Sequence, residues 1–161
     1  MNLVTLQALA AFPTQLEAHY GAFPSASVRW KPDSWAGIPS EPLSALEQIC
    51  HLRDVEVDGY HQRFSRTLAE ATPTLPALDT DRLVHERRYD QASAAEVLAA
   101  FRLARTRTLA MVSELAPTQL ARPAHFEGYG PVTLRGLVHY LCSHDQQHLA
   151  GLQWLLGKLA R

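Results

Sequence analysis

The feature that most constrains the fold is a long apolar rhythm near the end of the sequence. Leucines recur there at alternating three- and four-residue steps, which is the spacing of one helix face packed against other elements. These positions are Leu134, Leu137, Leu141, Leu152, Leu155 and Leu159. The pattern predicts a helix from Thr133 to Leu159, ~39 Å long at 1.5 Å per residue.

Three further segments show helical patterns with recognisable ends. Ser44 and Ser93 each precede an apolar pattern and are followed three residues later by Glu47 and Glu96, so both predict a capping box at a helix start. Pro13 lies within the first segment, where it either kinks the helix or starts a second one. The expected helices run over about Leu3 to Tyr20, Ser44 to Glu70 and Ser93 to Leu115.

Four helices and almost no strand signal predict an all-α protein, a four-helix bundle. The only strand candidates are the short segments 28–30 and 84–89. About 20 residues separate helices two and three, and a chain of that length can span ~65 Å. This crossover is long enough for helices two and three to lie parallel, in an up-down-down-up order, although the length does not require it. We expect one domain over residues 1–161.

Composition excludes several classes of partner. The formal net charge is −1, with 15 basic and 16 acidic residues, so no overall field favours nucleic acid. No run approaches the ~20 apolar residues of a membrane span, and no basic leader precedes the apolar start. The cysteines, Cys50 and Cys142, suit a reducing compartment as small buried hydrophobes. Arg102, Arg105 and Arg107 are predicted to mark the solvated face of the third helix.

Two histidines, His144 and His148, stand where the rhythm of the last helix would otherwise place aliphatic side chains. Because they are four residues apart, both rings project from one face and could hold a metal ion together. The alternative is a structural pair, each ring satisfied by a carboxylate or a carbonyl. The spacing leaves both interpretations open, and the inward position favours a metal. Asp145 and Gln147 are candidates for bonds to ligating rings, or for simple solvent exposure.

A metal site inside a bundle needs a further ligand from a facing helix, and His51 on the second helix is the candidate. Counting about 100° per residue, the periodicity places His51 well off the apolar face of that helix, beside Glu47, Asp54 and Asp58. The pattern alone therefore predicts His51 at the edge of the core or facing solvent. The predicted apolar face carries Leu46, Cys50, Val57, Phe64 and Leu68.

Three segments of the chain resemble the DinB/YfiT-like superfamily. They read WAGIPSEPLSALEQICHLRDVE, FRLARTRTLAMVSEL and ARPAHFEGYGPVTLRGLVHYLCSHDQQHLAGLQWLL, and contain an S-x-x-E-x-x-x-H-L-x-D-x-E pattern and a late H-D-x-x-H-L pair. The match spans about Leu3 to Leu159. The resemblance implies an up-down-down-up four-helix bundle, often dimeric, with a divalent metal held by three histidines. Those ligands are here His51, His144 and His148.

The resemblance also implies a chemistry. Three neutral imidazoles with open coordination positions are typical of a catalytic zinc site, and nickel would satisfy the same ligands. Some members of the superfamily are thiol-dependent transferases or isomerases, in which a low-molecular-weight thiol attacks a small electrophile. We favour this hypothesis by analogy with the family. The alternatives are a metal-dependent hydrolase and a non-catalytic, stress-induced metal-binding protein.

Two residues before the last helix are candidates for substrate binding. Arg122 and His125 lie in RPAHFEGYG, a predicted loop that could reach over the mouth of a metal site. There they would bind an anionic substrate, or else cap and pack. The expected protein is thus a cytoplasmic homodimer that acts on a small molecule, with no nucleic-acid or membrane partner.

Overall fold

The computed structural model describes residues 2–160, which are mostly α-helical. The four predicted helical segments are confirmed as helical, and two short helices lie in the connections between them. The helices are α1 Leu3–Gly21, α2 Ala45–Asp54, α3 His61–Ala69, α4 Thr80–Glu86, α5 Ala94–Val112, α6 Pro117–Leu120 and α7 Leu134–Leu159.

Helix α1 is continuous through Pro13, so the proline does not start a second segment. The side chain of Asn2 caps the helix by accepting a hydrogen bond from the Val4 amide at 3.0 Å. The helix packs against α5 and α7. Phe12 meets Phe101 of α5 edge to face, with ring centroids 5.6 Å apart.

The two predicted capping boxes have different outcomes. At Ser44 the box is confirmed, because Ser44 Oγ accepts from the Glu47 amide and Glu47 Oε2 accepts from the Ser44 amide at 2.8 Å. At Ser93 the box is wrong, since the side chain makes no capping bond. Ser93 and Glu96 are both exposed, so water can satisfy the free amides at this helix start.

A π-helical turn, Val55–Tyr60, joins α2 to α3. A π turn adds a residue to the helical repeat and therefore rotates the side chains that follow it. Glu56 is consequently 1% exposed and Val57 39% exposed, the reverse of what the predicted apolar face required. The buried carboxylate of Glu56 accepts two hydrogen bonds from Arg105 of α5.

The expectation of a purely α-helical fold needs a correction, because a small three-stranded sheet is present. Its order is β1-β2-β3, with β1 parallel to β2 and β2 antiparallel to β3. Both strand candidates were wrong: 28–30 follows a short 3-10 turn, and 84–86 belongs to α4, which Asp79 caps. The strands are β1 Thr74–Leu75, β2 Pro123–Phe126 and β3 Gly130–Thr133.

The crossover between α3 and α5 forms a layer over the second helix. It contains β1, α4 and a 3-10 turn, Tyr89–Gln91. The buried Tyr89 hydroxyl donates to Asp54 Oδ2 at 2.5 Å, and α4 packs on α2 with Leu83 buried. This layer covers a face of α2 that helical periodicity predicts to be exposed to solvent.

Helix α5 carries a buried arginine in the core. Arg105 is 1% exposed, which corrects the prediction that it marks a solvated face. Its guanidinium donates to Glu56 at 2.8 and 2.9 Å and to Asp145 at 2.7 and 3.0 Å, and so joins the second helix to α7. The pattern failed because the compensating carboxylates come from distant parts of the chain.

Within residues 2–160, no helix combines the length and the apolar character that a bilayer-spanning segment needs.

Candidate metal centre

Three histidines from two helices meet at one point inside the protein. His51 lies on α2, and His144 and His148 lie one turn apart on α7. The Nε2 atoms of His51 and His148 lie 3.1 Å and 3.2 Å from Nε2 of His144. The ring centroid of His51 lies 5.2 Å from that of His144 and 4.7 Å from that of His148. The structure thus brings the three predicted histidines together.

The spacing of the three nitrogens suits a bound cation. A tetrahedral metal with metal–nitrogen bonds of ~2.1 Å separates its nitrogen ligands by ~3.4 Å, which is close to the separations seen. Nε2 of His144 faces two other nitrogens and, with one proton at most, can donate to only one of them. A cation at the centre would be stabilised by all three lone pairs.

His51 is 1% exposed, so the edge or solvent position predicted from periodicity is wrong. The crossover layer and the loop before α2 account for its burial. Glu41 of that loop and Thr80 and Val84 of α4 line the same cavity as His51. The ring of His51 is therefore covered by segments distant in sequence, and the periodicity of a single helix contains no information about them.

Gln48 fixes the orientation of His148. Its side-chain nitrogen donates to Ser40 Oγ at 2.9 Å and to the Leu43 carbonyl at 3.4 Å. Because a carbonyl only accepts, the amide oxygen of Gln48 is the atom that faces Nδ1 of His148, with which it forms a short hydrogen bond. Nδ1 of His148 therefore carries the proton, and a neutral ring then has its lone pair on Nε2, toward the other histidines.

Glu41 adds a carboxylate to the histidine cluster. Its Oε2 lies 3.0 Å from Nε2 of His148, and its Oε1 lies 3.7 Å from Nε2 of His51. One ligand atom from each of the four residues lies within 4.8 Å of the others, a grouping that could hold a metal ion. The Glu41 side chain is 41% exposed, so it borders the cluster on the side of solvent.

Burial and neighbouring charges shift the pKa values of His51, His144 and Glu41. Burial lowers the pKa of His51 to about 4, and the nearby His148 acts in the same direction. Burial, His148 and His51 likewise hold the pKa of His144 well below its ordinary value. Burial alone would raise the pKa of Glu41, but a protonated His148 would lower it overall through its hydrogen bond and its charge. A divalent metal would bind the other state of that ring, the neutral imidazole with its lone pair on Nε2, beside the ionised carboxylate.

Two cavities open beside the cluster, and Glu41 and His51 line both. The larger has a volume of about 320 Å³ and the smaller one of about 160 Å³. Lys31 and His85 help to line the larger cavity. The smaller cavity is lined by His51, His144 and Arg63 and by the aromatic rings of Tyr60, Phe126 and Tyr129, among others.

The sequence model of the DinB superfamily matches residues 8–152, nearly the whole chain. The chain belongs to the DinB superfamily. Its structure is similar to that of YfiT from Bacillus subtilis, described as a probable metal-dependent hydrolase with an unusual four-helix bundle topology. The TM-score is 0.84 over 97% of this chain and 86% of that chain, at 19% sequence identity, so the likeness concerns the fold. No curated protein matches the sequence significantly.

Arg122 and His125 stand apart from the histidines of this DinB-superfamily chain. Arg122 donates to the Thr67 and Glu70 carbonyls at 2.7 and 2.6 Å and so ties the end of α3 to the start of β2. His125 is exposed on β2. Among the described residues, neither lines the two cavities beside the cluster. A role for them in substrate binding stays a prediction.

Sequence reasoning missed three residues that surround this DinB-type cluster: Gln48, Glu41 and Arg63. Gln48 offered a signal, because it is an amide next to the apolar Ile49 and Cys50, one helical turn before His51. Glu41 and Arg63 offered none. Of the two proposed neighbours of the rings, Gln147 is exposed, as one alternative expected, and Asp145 is buried but bonds to Arg105.

Proposed function

We propose that this protein is a metal-dependent hydrolase of small molecules, in which His51, His144 and His148 hold one divalent transition metal. The observation that carries the proposal is the carboxylate of Glu41 beside three converging imidazole nitrogens. When bound, a divalent metal would polarise a carbonyl oxygen and lower the pKa of water. Three nitrogen ligands leave a coordination position open, and zinc or nickel suits such a set.

Glu41 would act as the proton carrier. It lies at the cluster but is partly exposed, and its carboxylate oxygens face two of the three histidines. Water attacks the carbonyl carbon of an ester or amide, and Glu41 takes the proton that water loses. The bond to the leaving oxygen or nitrogen then breaks, and Glu41 returns the proton to that atom.

Gln48 would hold His148 in the tautomer that binds a metal through Nε2. By accepting a hydrogen bond from Nδ1 of His148, it keeps Nε2 of that ring available as a ligand. Arg105 would hold the two ligand-bearing helices at a fixed separation, since it bonds to Glu56 and to Asp145, the neighbour of His144. Both are positioning residues in this proposal.

One observation favours a second function, a thiol-dependent transferase. Two cavities, of about 320 and 160 Å³, meet at Glu41 and His51, which leaves space for two substrates. A low-molecular-weight thiol in one cavity and an electrophile in the other would then react across the site. This reaction needs the same metal ligands and differs in its requirement for thiol.

We also infer the up-down-down-up helix order. The start of the second helix lies at the start of α5, since Leu46 lines one cavity with Ala92 and Ala94. Farther along the second helix, His61 contacts the Ala104 carbonyl and Thr108 in the second half of α5, which supports a parallel arrangement of helices two and three after the long crossover.

The test is turnover of activated esters and amides by the metal-loaded protein, with and without added thiol. We expect hydrolysis without thiol, abolished by a chelator, and a kcat at least ~100-fold lower in Glu41→Gln. Glu86→Gln, at an exposed position on α4, is the matched control. Turnover that requires thiol would favour the transferase, and an unchanged kcat in Glu41→Gln would refute the role of that carboxylate.

A further inference from the structure

Arg63, on α3, is buried beside the histidine cluster, and no carboxylate among residues 2–160 pairs with it. The residue is 6% exposed, and its Nε atom is buried with no hydrogen-bond partner in the described part of the chain. Within that part, its guanidinium makes one long hydrogen bond, from Nη2 to the Pro76 carbonyl at 3.4 Å. An unpaired charge in such a place is costly to fold around. The buried guanidinium therefore does not stabilise the fold, and its presence points to a function in binding.

Aromatic rings and a glycine hold this guanidinium in position. Its Cζ lies 5.0 Å from the ring centroid of Tyr60 and 4.4 Å from that of Phe126. A Cβ added at Gly59 would lie only 2.8 Å from Nη1 of Arg63, so the absence of a side chain at Gly59 makes room for the group. A fixed planar fork with free donors is the arrangement that binds a carboxylate through two parallel hydrogen bonds.

The guanidinium and the histidines face the same space. Arg63, His51 and His144 line the cavity of about 160 Å³, and Tyr60, Phe126 and Tyr129 supply aromatic wall. Glu127 also lines it, and its Oε2 accepts a hydrogen bond from the Ala77 amide at 2.9 Å. The cavity thus has a cationic group, the proposed metal ligands and an aromatic surface between them.

We propose that Arg63 binds the carboxylate of the substrate, a small organic acid with an apolar or aromatic body. The inference rests on the proposed function, since it places the reacting bond of that acid at the histidine cluster and its carboxylate at the guanidinium. The aromatic walls contact the body of the acid. The substrate is then selected by its negative charge at the Arg63 end of the cavity and by its reactive bond at the histidine end.

Binding of benzoate, with benzamide as its neutral counterpart, tests this site without any turnover. Calorimetry on the full-length protein, as isolated and after metal removal, compares the wild type with Arg63→Gln and Arg63→Lys. Charge-assisted hydrogen bonds contribute enough that Arg63→Gln should weaken benzoate binding at least ~10-fold in both samples. Arg63→Lys should weaken it less, and benzamide should bind the wild type poorly. Arg66→Gln, which removes an exposed arginine paired with Glu70, is the control and should bind benzoate normally.

A second variant covers the case in which Arg63→Gln does not fold. Gly59→Ala keeps the charge but displaces the guanidinium, and should also weaken benzoate binding. Equal benzoate affinity in the wild type and in the folded Arg63 variants, equally tight binding of benzamide, or no binding at millimolar benzoate would each overturn the proposal. Binding that depends on Arg63 in a protein without hydrolase activity would overturn the proposed function and leave the anion site standing.

Discussion

The side-chain oxygen of Gln48 accepts a hydrogen bond from Nδ1 of His148, and both side chains are fully buried. This contact lies behind the cluster of imidazole nitrogens and decides which nitrogen of His148 carries the proton. Because Gln48 in turn donates to Ser40 and to the Leu43 carbonyl, its own orientation is fixed as well. The loop before α2 therefore orients the His148 ring on α7 through Gln48.

Gln48→Leu should weaken metal binding without removing any ligand. The variant loses the acceptor that fixes the tautomer of His148, and loss of such a partner typically costs ~10- to 100-fold in metal affinity. Gln147→Leu, at an exposed position on α7, should leave the affinity unchanged. Titration of the metal-free proteins with zinc in the presence of a competing chelator measures both. Equal affinities in the two variants would contradict the role given to Gln48.

Gly151→Ala should disturb the same loop. A Cβ at Gly151 would overlap Ser40 Oγ and lie 3.0 Å from Nε2 of Gln48, so Ser40 must move. Gly157→Ala is the matched control on α7, because nothing lies within 4 Å of its added Cβ. We expect Gly157→Ala to raise the free energy of unfolding by up to ~1 kcal/mol, and Gly151→Ala to lower both stability and zinc affinity. A Gly151→Ala variant that gains stability as Gly157→Ala does would show that the close approach is not present in solution.

Arg105→Met should destabilise the fold strongly. The substitution leaves the buried carboxylates of Glu56 and Asp145 without their cation, and breaking a buried pair in this way costs about 3–5 kcal/mol. Arg102→Met removes an exposed pair with Glu17, for which the loss should stay below ~1 kcal/mol. Urea unfolding followed by circular dichroism measures both variants. Similar losses in the two would mean that the buried network contributes little.

Cys50 should be unreactive in the folded protein. Burial raises the pKa of its thiol to about 12, so almost no thiolate is present at pH 8. Burial raises the pKa of the half-buried Cys142 as well. In a Cys142→Ser variant, we expect alkylation by iodoacetamide at pH 8 only after unfolding, as followed by mass spectrometry. Rapid alkylation of Cys50 in the folded variant would instead indicate an accessible, reactive thiol close to His51.

The sequence predicts the four long helices well, because leucine periodicity and capping residues are local signals. Ser44 and Glu47 mark the start of α2 as expected. Glu56 is buried and Val57 exposed, the opposite of the prediction, because the π-helical turn rotates the side chains that follow it. No residue type in that segment predicts a π-helical turn. The small sheet was missed because its strands have only two to four residues.

The candidate site could be predicted only in part. His144 and His148 are accessible to pattern reasoning, since both sit on the apolar rhythm of one helix. The inward position of His51 is not, because the crossover and the loop before α2 bury this ring, and only the resemblance to the family placed it among the ligands. Glu41 and Arg63 reach the cluster through the tertiary fold, and a single sequence contains no local signal for that. Arg105 was misassigned for the same reason, since its partners come from two other helices.

Metal content of the purified protein tests the central claim most directly. Elemental analysis should find close to one zinc or nickel ion per chain in the wild type. His51→Ala, His144→Ala and His148→Ala should each lose most of it. His139→Ala is the control, because this exposed histidine lies on α7 away from the cluster, with its Nδ1 3.4 Å from Thr5 Oγ1. Full metal content in the three cluster variants, or a wild-type protein that binds no transition metal when supplied with one, would contradict the account.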